Sequence, residues 1–564
     1  MSRFKKLLSA FSKVREQRKC QITGKQFSVS DSEKDLYRKH GLPTPLISPE
    51  EAIRRKLAFV SSGKFYRRTC DKSAEIIESV YPQNTQFPVY KASIWWSREF
   101  DATEYGREFS FDKMFVEQML ELWRVVPRPS FISTNYDSCN YVHYVDGATS
   151  CSHLLLCSDV INCHYGHFLN KCRNCWDSYH LTSCDGCYEC IHCESCLKLV
   201  YSEYCMNCVD SYFLSNCRNC RNCIFCSNID GGEFMIRNKK VSKDEYYGFL
   251  SRLELNNRSE FETAISNFNS HVSTHPLPYL VGDIVGKNTG NYLWNCKDCH
   301  SSYDCHNCSK VFHCESMIDA TECLDGVGYG RNSKMLAQFA LLGDRAENIR
   351  NSVDCWNNVS NLDYCSHCED SNNLFACVGL RKKSFCIFNK QYSENEYLTL
   401  RKRIIDHLKY HKHWGHFFTP GFCGLAYNVS AAQVFMPLSR APAKLMGFRW
   451  DDEQENVGAA DLLLEANSGS GLVLQAVPEE INQLEALADK SIFVCEISAE
   501  AIEFSPQEIA LYKEFNIAPP RRAAFQRHLD RISRMNRKRV ETIEEMNKFS
   551  FRSLSKKQDI IKRV

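Results

Sequence analysis

No run of 18 apolar residues occurs anywhere in this chain of 564, so no membrane-spanning helix is predicted. The segment 1–20 is basic and sets Phe4, Leu7, Leu8, Phe11 and Val14 at helical spacing, but it lacks the continuous apolar segment of a secretory leader. The cysteines are therefore expected to stay reduced in the cytoplasm, where disulfides are rare. Net charge is nearly absent too, at +2, although its distribution is uneven. Residues 1–20 carry seven Lys/Arg against Glu16, and residues 520–564 carry fourteen against five acids, which leaves about −13 on 21–519 by subtraction. Basic ends flank an acidic body.

Catalytic constellations are missing as well. The segment GDIVGKNTG (282–290) is one residue short of a phosphate loop and has Asn288 where Ser or Thr would hold magnesium. His407, His411, His413 and His416 gather near a helix end, where solvent-facing histidine is a commoner outcome than a metal site. The sequence predicts no enzyme and names no reaction.

Cysteine is what the chain has in abundance. Stepping by three from Cys139 to Met235 visits 33 positions, each Cys, Val, Leu, Ile, Met, Ala, Ser or Gly, and all 17 cysteines of the stretch share that phase. A helix would repeat every 3.6 residues and a half-buried strand every 2, so a backbone that turns every third residue inward must coil regularly. That is the signature of a solenoid. Free cysteine, a small hydrophobe, suits a narrow axis. Asparagine often precedes it, as at Asn162, Asn174, Asn207, Asn216, Asn219 and Asn222, which suggests amides stacked from coil to coil. Coil length stays open, because cysteines recur both at 12 (139, 151, 163, 175, 187) and at 18 (139, 157, 175, 193).

The pairs Cys172/Cys175, Cys184/Cys187, Cys190/Cys193, Cys205/Cys208, Cys217/Cys220, Cys296/Cys299, Cys305/Cys308 and Cys365/Cys368 have the two-residue gap of zinc ligands. Zinc is the one cofactor left open. Core packing explains more of the pattern, because Leu, Val, Ser and Gly replace cysteine in phase and Cys184, Cys187, Cys190, Cys193 and Cys196 follow one another at spacing three.

The array is duplicated. A shift of 151 lays Cys157 on Cys308, Cys163 on Cys314, Cys172 on Cys323 and Cys226 on Cys377, and both copies end alike, Phe234, Asn238 and Ser242 matching Phe385, Asn389 and Ser393. The second copy is interrupted at Tyr329 to Arg350, where MLAQFALLGD reads as helical. A smaller unit repeats at offset 475, with Cys20/Cys495, Leu36/Leu511, Tyr37/Tyr512 and Pro45/Pro520 in register and helices predicted near 31–40 and 49–57. An aromatic segment between Cys70 and Arg128 is expected to cover the first coil, because an open solenoid end must be covered.

CQITGKQF, WWSREFDATEYGREFSF, the two cysteine arrays ending in IxNK, and WGHFF followed by GLAYN together resemble uncharacterised cysteine-rich repeat proteins of small-genome uncultivated bacteria. The resemblance covers nearly the whole chain and supplies no function. It implies zinc-ribbon-like terminal modules held through extra CxxC pairs; the corresponding positions here are Ser48 and Glu51, then Lys91 and Ile94, so only Cys20 and Cys70 remain.

The expected fold is mainly β: a tandem duplicated parallel β-solenoid with a period-three cysteine-rich core, small α+β zinc-ribbon-like modules at both ends, and interspersed helices. The expected segments are a basic helix (1–19), a first module (20–69), an aromatic cap (70–135), a first solenoid (136–242), a helix and linker (243–289), a second solenoid (290–392), a helix with the WGHFF segment (393–450), an acidic stretch (451–490), and a second module with basic tail (491–564). The leading expectation is a non-enzymatic cytoplasmic scaffold presenting its solenoid surface to a macromolecular partner. One alternative is an RNA- or ribosome-associated protein contacting phosphates through Arg521, Arg522, Arg527, Arg531, Arg534, Arg537, Lys538 and Arg539. The other is a metal-storage or redox protein built on the CxxC arrays.

Overall fold

The computed structural model describes residues 15–161, 181–182, 193–194, 198–276, 282, 288–327, 330–331, 334, 337, 339–340, 353, 358–452, 473–488, 491–498, 500–502 and 504–534. Parallel strands dominate the middle of the chain. Val145 pairs with Cys157, Tyr212 with Ile224, Arg218 with Asp230, Asn291 with Tyr303 and Asn372 with Ser384, always at an offset of 12. The strand register therefore sets the coil length at 12 and rules out 18. The protein is a parallel β-solenoid with helices elsewhere.

Its corners explain the asparagines. Asn207, Asn216, Asn219, Asn222 and Asn228 all have φ of 50–55°, the left-handed region, and each stands just before an inward-phase position. Asn and Asp tolerate this conformation better than other residues with a Cβ, because their short polar side chains bond locally. A left-handed residue at every third position turns the chain repeatedly, so that four short sides close a coil. Tyr201, Phe213 and Phe225 adopt the same conformation at one-coil intervals. For these the backbone cost, about 1 kcal/mol each, is offset by stacking on one another and on Phe261 and Phe268 of the helix Arg258–Ser273.

Amide ladders run up the corners. Asn295 donates to Asn307 and Asn307 to Asp319, both at 2.9 Å. Asn207 donates to Asn219 at 3.4 Å and Asn219 to Asp230 at 3.0 Å, while Asn358 donates to Asp370 at 3.0 Å. Each of these runs in the same direction along the chain and finishes on an aspartate, which accepts only.

Both solenoid halves stop in the same way. Asn238 exchanges two bonds with Ser227, and Asn389 two with Val378, at 2.8–2.9 Å. A short antiparallel strand follows, Lys239–Lys240 or Lys390–Gln391. A helix then begins at a capping box, Ser242 with Glu245 or Ser393 with Glu396.

The helix expected in MLAQFALLGD is not what the described residues form. Ala337 makes a parallel bridge to Leu324, and Lys334 to Thr321, one position beyond the regular offset, so the coil continues with a single insertion. A short apolar run carries too little periodicity to separate strand from helix.

The terminal units share one build. The hairpin Arg15–Lys19 with Gln26–Ser30 leads into the helices Asp31–Lys39 and Pro49–Leu57; Ser491–Val494 with Ala501–Ile502 leads into Pro506–Phe515 and Ala524–Arg534. A third hairpin, Tyr66–Thr69 with Ile76–Ser79, turns at Cys70. The two ends cross over. Near the N-terminus, Glu33 meets His313 at 2.8 Å and Tyr37 donates to Asp325, both in the second solenoid. Near the C-terminus, Tyr512 and Phe515 share a core with Val200 and Phe213 of the first solenoid. The aromatic segment lies chiefly on the second solenoid: Phe115 packs on Tyr364, Phe375 and Phe388, and Arg381 stacks on Trp95. It reaches the first coil as well, through Phe131 and Ile132 at Tyr144 and the core behind it, Trp96 beside them, and Glu78, which accepts the Tyr141 N–H at 3.4 Å.

Candidate functional site

Cysteine occupies two kinds of site. In the solenoid, Cys205, Cys208, Cys217, Cys220, Cys223 and Cys226 are at most 1% exposed and share a cluster with Val142, Val145, Leu154, Val160, Leu199 and Leu214. Each sulfur donates to the carbonyl two residues earlier, Cys208 to Met206 at 3.4 Å and Cys220 to Arg218 at 3.2 Å. Several also reach a carbonyl of the next coil, as Cys208 does to Cys217 at 3.4 Å and Cys296 to Cys305 at 3.2 Å. Serine in phase does the same: Ser211 donates to Val209 at 2.8 Å and accepts the Cys223 N–H at 3.1 Å. The inward carbonyls need a small donor, and thiol and hydroxyl both supply one. Neighbouring thiols and burial raise Cys208, Cys217 and Cys226, and Cys223 is pushed up to about 11. Protonated thiols fit this interior.

At the hairpin turns the polarity reverses. Cys20, Cys70 and Cys495 are at most 2% exposed. The Cys70 sulfur accepts the N–H groups of Lys72, Ser73 and Lys91 at 3.5, 3.5 and 3.2 Å, and Cys495 accepts that of Ser498 at 3.5 Å. Burial would raise Cys20, but the Thr23 side chain and the N–H groups of Thr23, Ser48 and Ile22 outweigh it and bring the thiol down to about 7. Cys70 is lowered in the same way by Ser73, Lys91 and Lys72. Arg55 of the following helix lies near Cys20, Glu51 and Cys423, and Lys91 adds its charge near Cys70. Cys20 and Cys70 sit where thiolates are stabilised.

Of the residues singled out as zinc candidates, Cys172, Cys175, Cys184, Cys187 and Cys190 lie outside the described residues, and Cys193 is described only as strand backbone pairing with Leu181. Cys205, Cys208, Cys217 and Cys220, then Cys296, Cys299, Cys305, Cys308, Cys365 and Cys368, are buried in the two solenoid cores. Among the described residues no three of His, Cys, Asp and Glu converge as a metal centre. The rings of His407 and His411 stand 4.5 Å apart, and His407 meets Phe109 and Phe111 edge-on. Asn288 serves the first coil of the second solenoid, donating to the Cys296 carbonyl and accepting the Cys299 N–H.

The basic residues near the C-terminus are largely engaged. Arg521 pairs with Glu479, and Arg522 with Glu496 at 3.0 Å and Asp530 at 2.7 Å. Arg527 is buried against Glu508 and the Tyr512 hydroxyl, and Arg531 is buried too, so neither faces a phosphate in this fold. The Arg534 side chain, Arg537, Lys538 and Arg539 lie outside the described residues. Sequence reasoning missed the Cys70 hairpin as a third copy of the terminal unit. The shared text CxxS, in CDKSAEII and CEISAEAI, was its signal. A cavity of about 340 Å³ beside Cys495, lined by Val477, Val494, Glu496 and Arg521, was not foreseen either.

These features define a parallel β-solenoid protein with hairpin–helix units at its ends; among the described residues no helix is long and apolar enough to cross a membrane. Compared with family models, curated proteins and solved structures, the chain matches none.

Proposed function

We propose that the protein is a non-enzymatic scaffold whose stacked coils present a long regular surface to a macromolecular partner. The carrying observation is that the coil sides already bind helices of this same chain. The column Tyr201, Phe213 and Phe225 receives the helix Arg258–Ser273, and coils around Phe312 and Leu324 receive the helix Asp31–Lys39. A repeating coil sets side chains in columns, so each side is an extended docking strip. The exposed strip with Arg218 and Arg221, ahead of Asp230 and Glu233 one coil on, is polar and suits a polar partner.

In this reading the chain works reduced, in a cytoplasm-like compartment. The hairpin units at Cys20 and Cys70 are degenerate zinc-ribbon-like modules in which backbone N–H groups and a nearby cation, Arg55 or Lys91, hold a single sulfur. This agrees with the resemblance to cysteine-rich repeat proteins and with the Ser48 and Lys91 N–H groups lying at the retained thiols. RNA association would fall to 1–14 and 535–564.

The test is affinity purification of the intact chain at several salt concentrations, beside an Arg218→Glu/Arg221→Glu variant and a truncation of 535–564. Loss of the co-purifying partner in the double variant and its retention in the truncation are expected. The reverse pattern, with nuclease-sensitive and steeply salt-dependent binding, would replace this reading by the RNA alternative.

A further inference from the structure

Among the described residues every free cysteine is buried except Cys139. It stands just ahead of the strand Asn140–Thr149 and packs at the edge of the first core rather than inside it. One coil on is Cys151, which is buried. The strands that follow the two cysteines pair in parallel, Asn140 with Ser152 and Val142 with Leu154, so Cys139 and Cys151 hold the same position in successive coils. Adjacent parallel strands lie about 4.8 Å apart, inside the Cα separation of about 4.4–6.8 Å that a disulfide spans.

The two residues also touch. The Cys139 sulfur accepts the Cys151 N–H at 3.4 Å. Each thiol donates to the carbonyl two residues earlier, Cys139 to Asp137 and Cys151 to Thr149, both at 3.1 Å. The same one-coil step recurs at Cys205/Cys217, Cys208/Cys220, Cys296/Cys308 and Cys365/Cys377, but there both members are at most 2% exposed. Those pairs have a partner without an approach from solvent. Cys139 has both.

We infer that Cys139 and Cys151 form a thiol–disulfide modification site that takes a low-molecular-weight disulfide such as oxidised glutathione. The Cys139 thiolate attacks one sulfur of the reagent, so that a mixed disulfide forms and one glutathione thiolate leaves. Cys151 then attacks the Cys139 sulfur and expels the second glutathione. Two electrons pass from the cysteine pair to the reagent, and the two cysteine protons end on the two glutathione thiols. A covalent bond then joins two coils that hydrogen bonds alone had joined. Burial and the neighbouring Cys151 thiol raise the Cys139 thiol, against the pull of the Cys151 N–H. Exchange is therefore slow at neutral pH and quickens by about ten-fold for each unit the pH is raised, in step with the thiolate fraction.

The experiment exposes the intact, reduced chain to oxidised glutathione at mildly alkaline pH, alkylates the remaining thiols, and maps the digest by mass spectrometry without reductant. The peptide holding both residues should lose two hydrogens, with fragmentation placing the bond between 139 and 151, while the four sealed pairs stay alkylatable after unfolding. Amide exchange over 140–149 should slow by about ten-fold once the bond has closed. Cys151→Ser should halt the sequence at its first step, leaving one glutathione on Cys139. Serine is already an inward residue of these coils, at Ser211 and Ser302, so this variant keeps the fold. Cys139→Ser should leave Cys151 unreacted. Cys139 unmodified in the wild type, glutathione stably retained on it, a bond from it to any other cysteine, or reaction of the sealed pairs at an equal rate would each overturn the site.

Discussion

The solenoid interior and the hairpin turns use the same residue in opposite electrical senses. Inside the coils a cysteine donates to carbonyl oxygens, as Ser211 and Ser302 also do at equivalent positions, and Cys226 and Cys377 accept one N–H each besides. At Cys20 and Cys70 the sulfur is surrounded by N–H groups and serves as an acceptor, with burial alone working against the anion. Cysteine count and spacing do not separate these roles. The direction of the backbone dipoles around the sulfur does.

Aspartate should separate the two most sharply. Cys217→Asp sets a carboxylate among inward carbonyls and should cost more than about 4 kcal/mol, in the range of buried unpaired charge. Cys20→Asp offers an acceptor to the same N–H groups and should cost about 1 kcal/mol in denaturant melts. Equal losses at both sites would erase the distinction.

Smaller truncations grade the interior. Cys208→Ala should cost about 1–2 kcal/mol, at the low end for core truncations, while Cys208→Ser, which keeps a donor, should cost less than the alanine. A loss of about 10 kcal/mol on removing one sulfur would point to a metal site instead.

The third expectation concerns pH. Cys20 is lowered to about 7 from an ordinary 9, so its support for the fold is complete above pH 9 and is lost as pH falls through 7. The melting temperature should drop modestly over that interval, and Cys20→Ser should flatten the drop. Cys208, Cys217, Cys223 and Cys226 are raised and should contribute nothing there.

The smallest effect is expected from chelator. Wild-type melting should be nearly unchanged, and elemental analysis should find less than one zinc per solenoid half. Several zinc ions per chain, with unfolding in chelator, would bring the CxxC reading to the front.

The parallel β-solenoid was legible because a residue pattern that repeats every third position has few regular homes. The same period is silent on how many sides close a coil, so 12 and 18 stayed level until strand register separated them. Asparagine before cysteine was legible as stacking; that it also marks a left-handed corner is a backbone fact with the same residue preference. The Cys70 unit was hidden because its second half is shortened and merged with aromatic packing. Arg527 and Arg531 looked like phosphate contacts because composition shows charge and not the carboxylate or burial that folding brings to it.

The amide ladders give the solenoid a sense of direction, rather as a polymer has a growing end and a dead one. An asparagine accepts from the coil before it and donates to the coil after it, so an extra turn slipped between two asparagines leaves the series unbroken. Asp230, Asp319 and Asp370 accept but have nothing to pass on. Such a chain lengthens by insertion within a ladder and not by addition beyond its acid. Homologues that differ in length are therefore expected to differ by whole turns upstream of these aspartates.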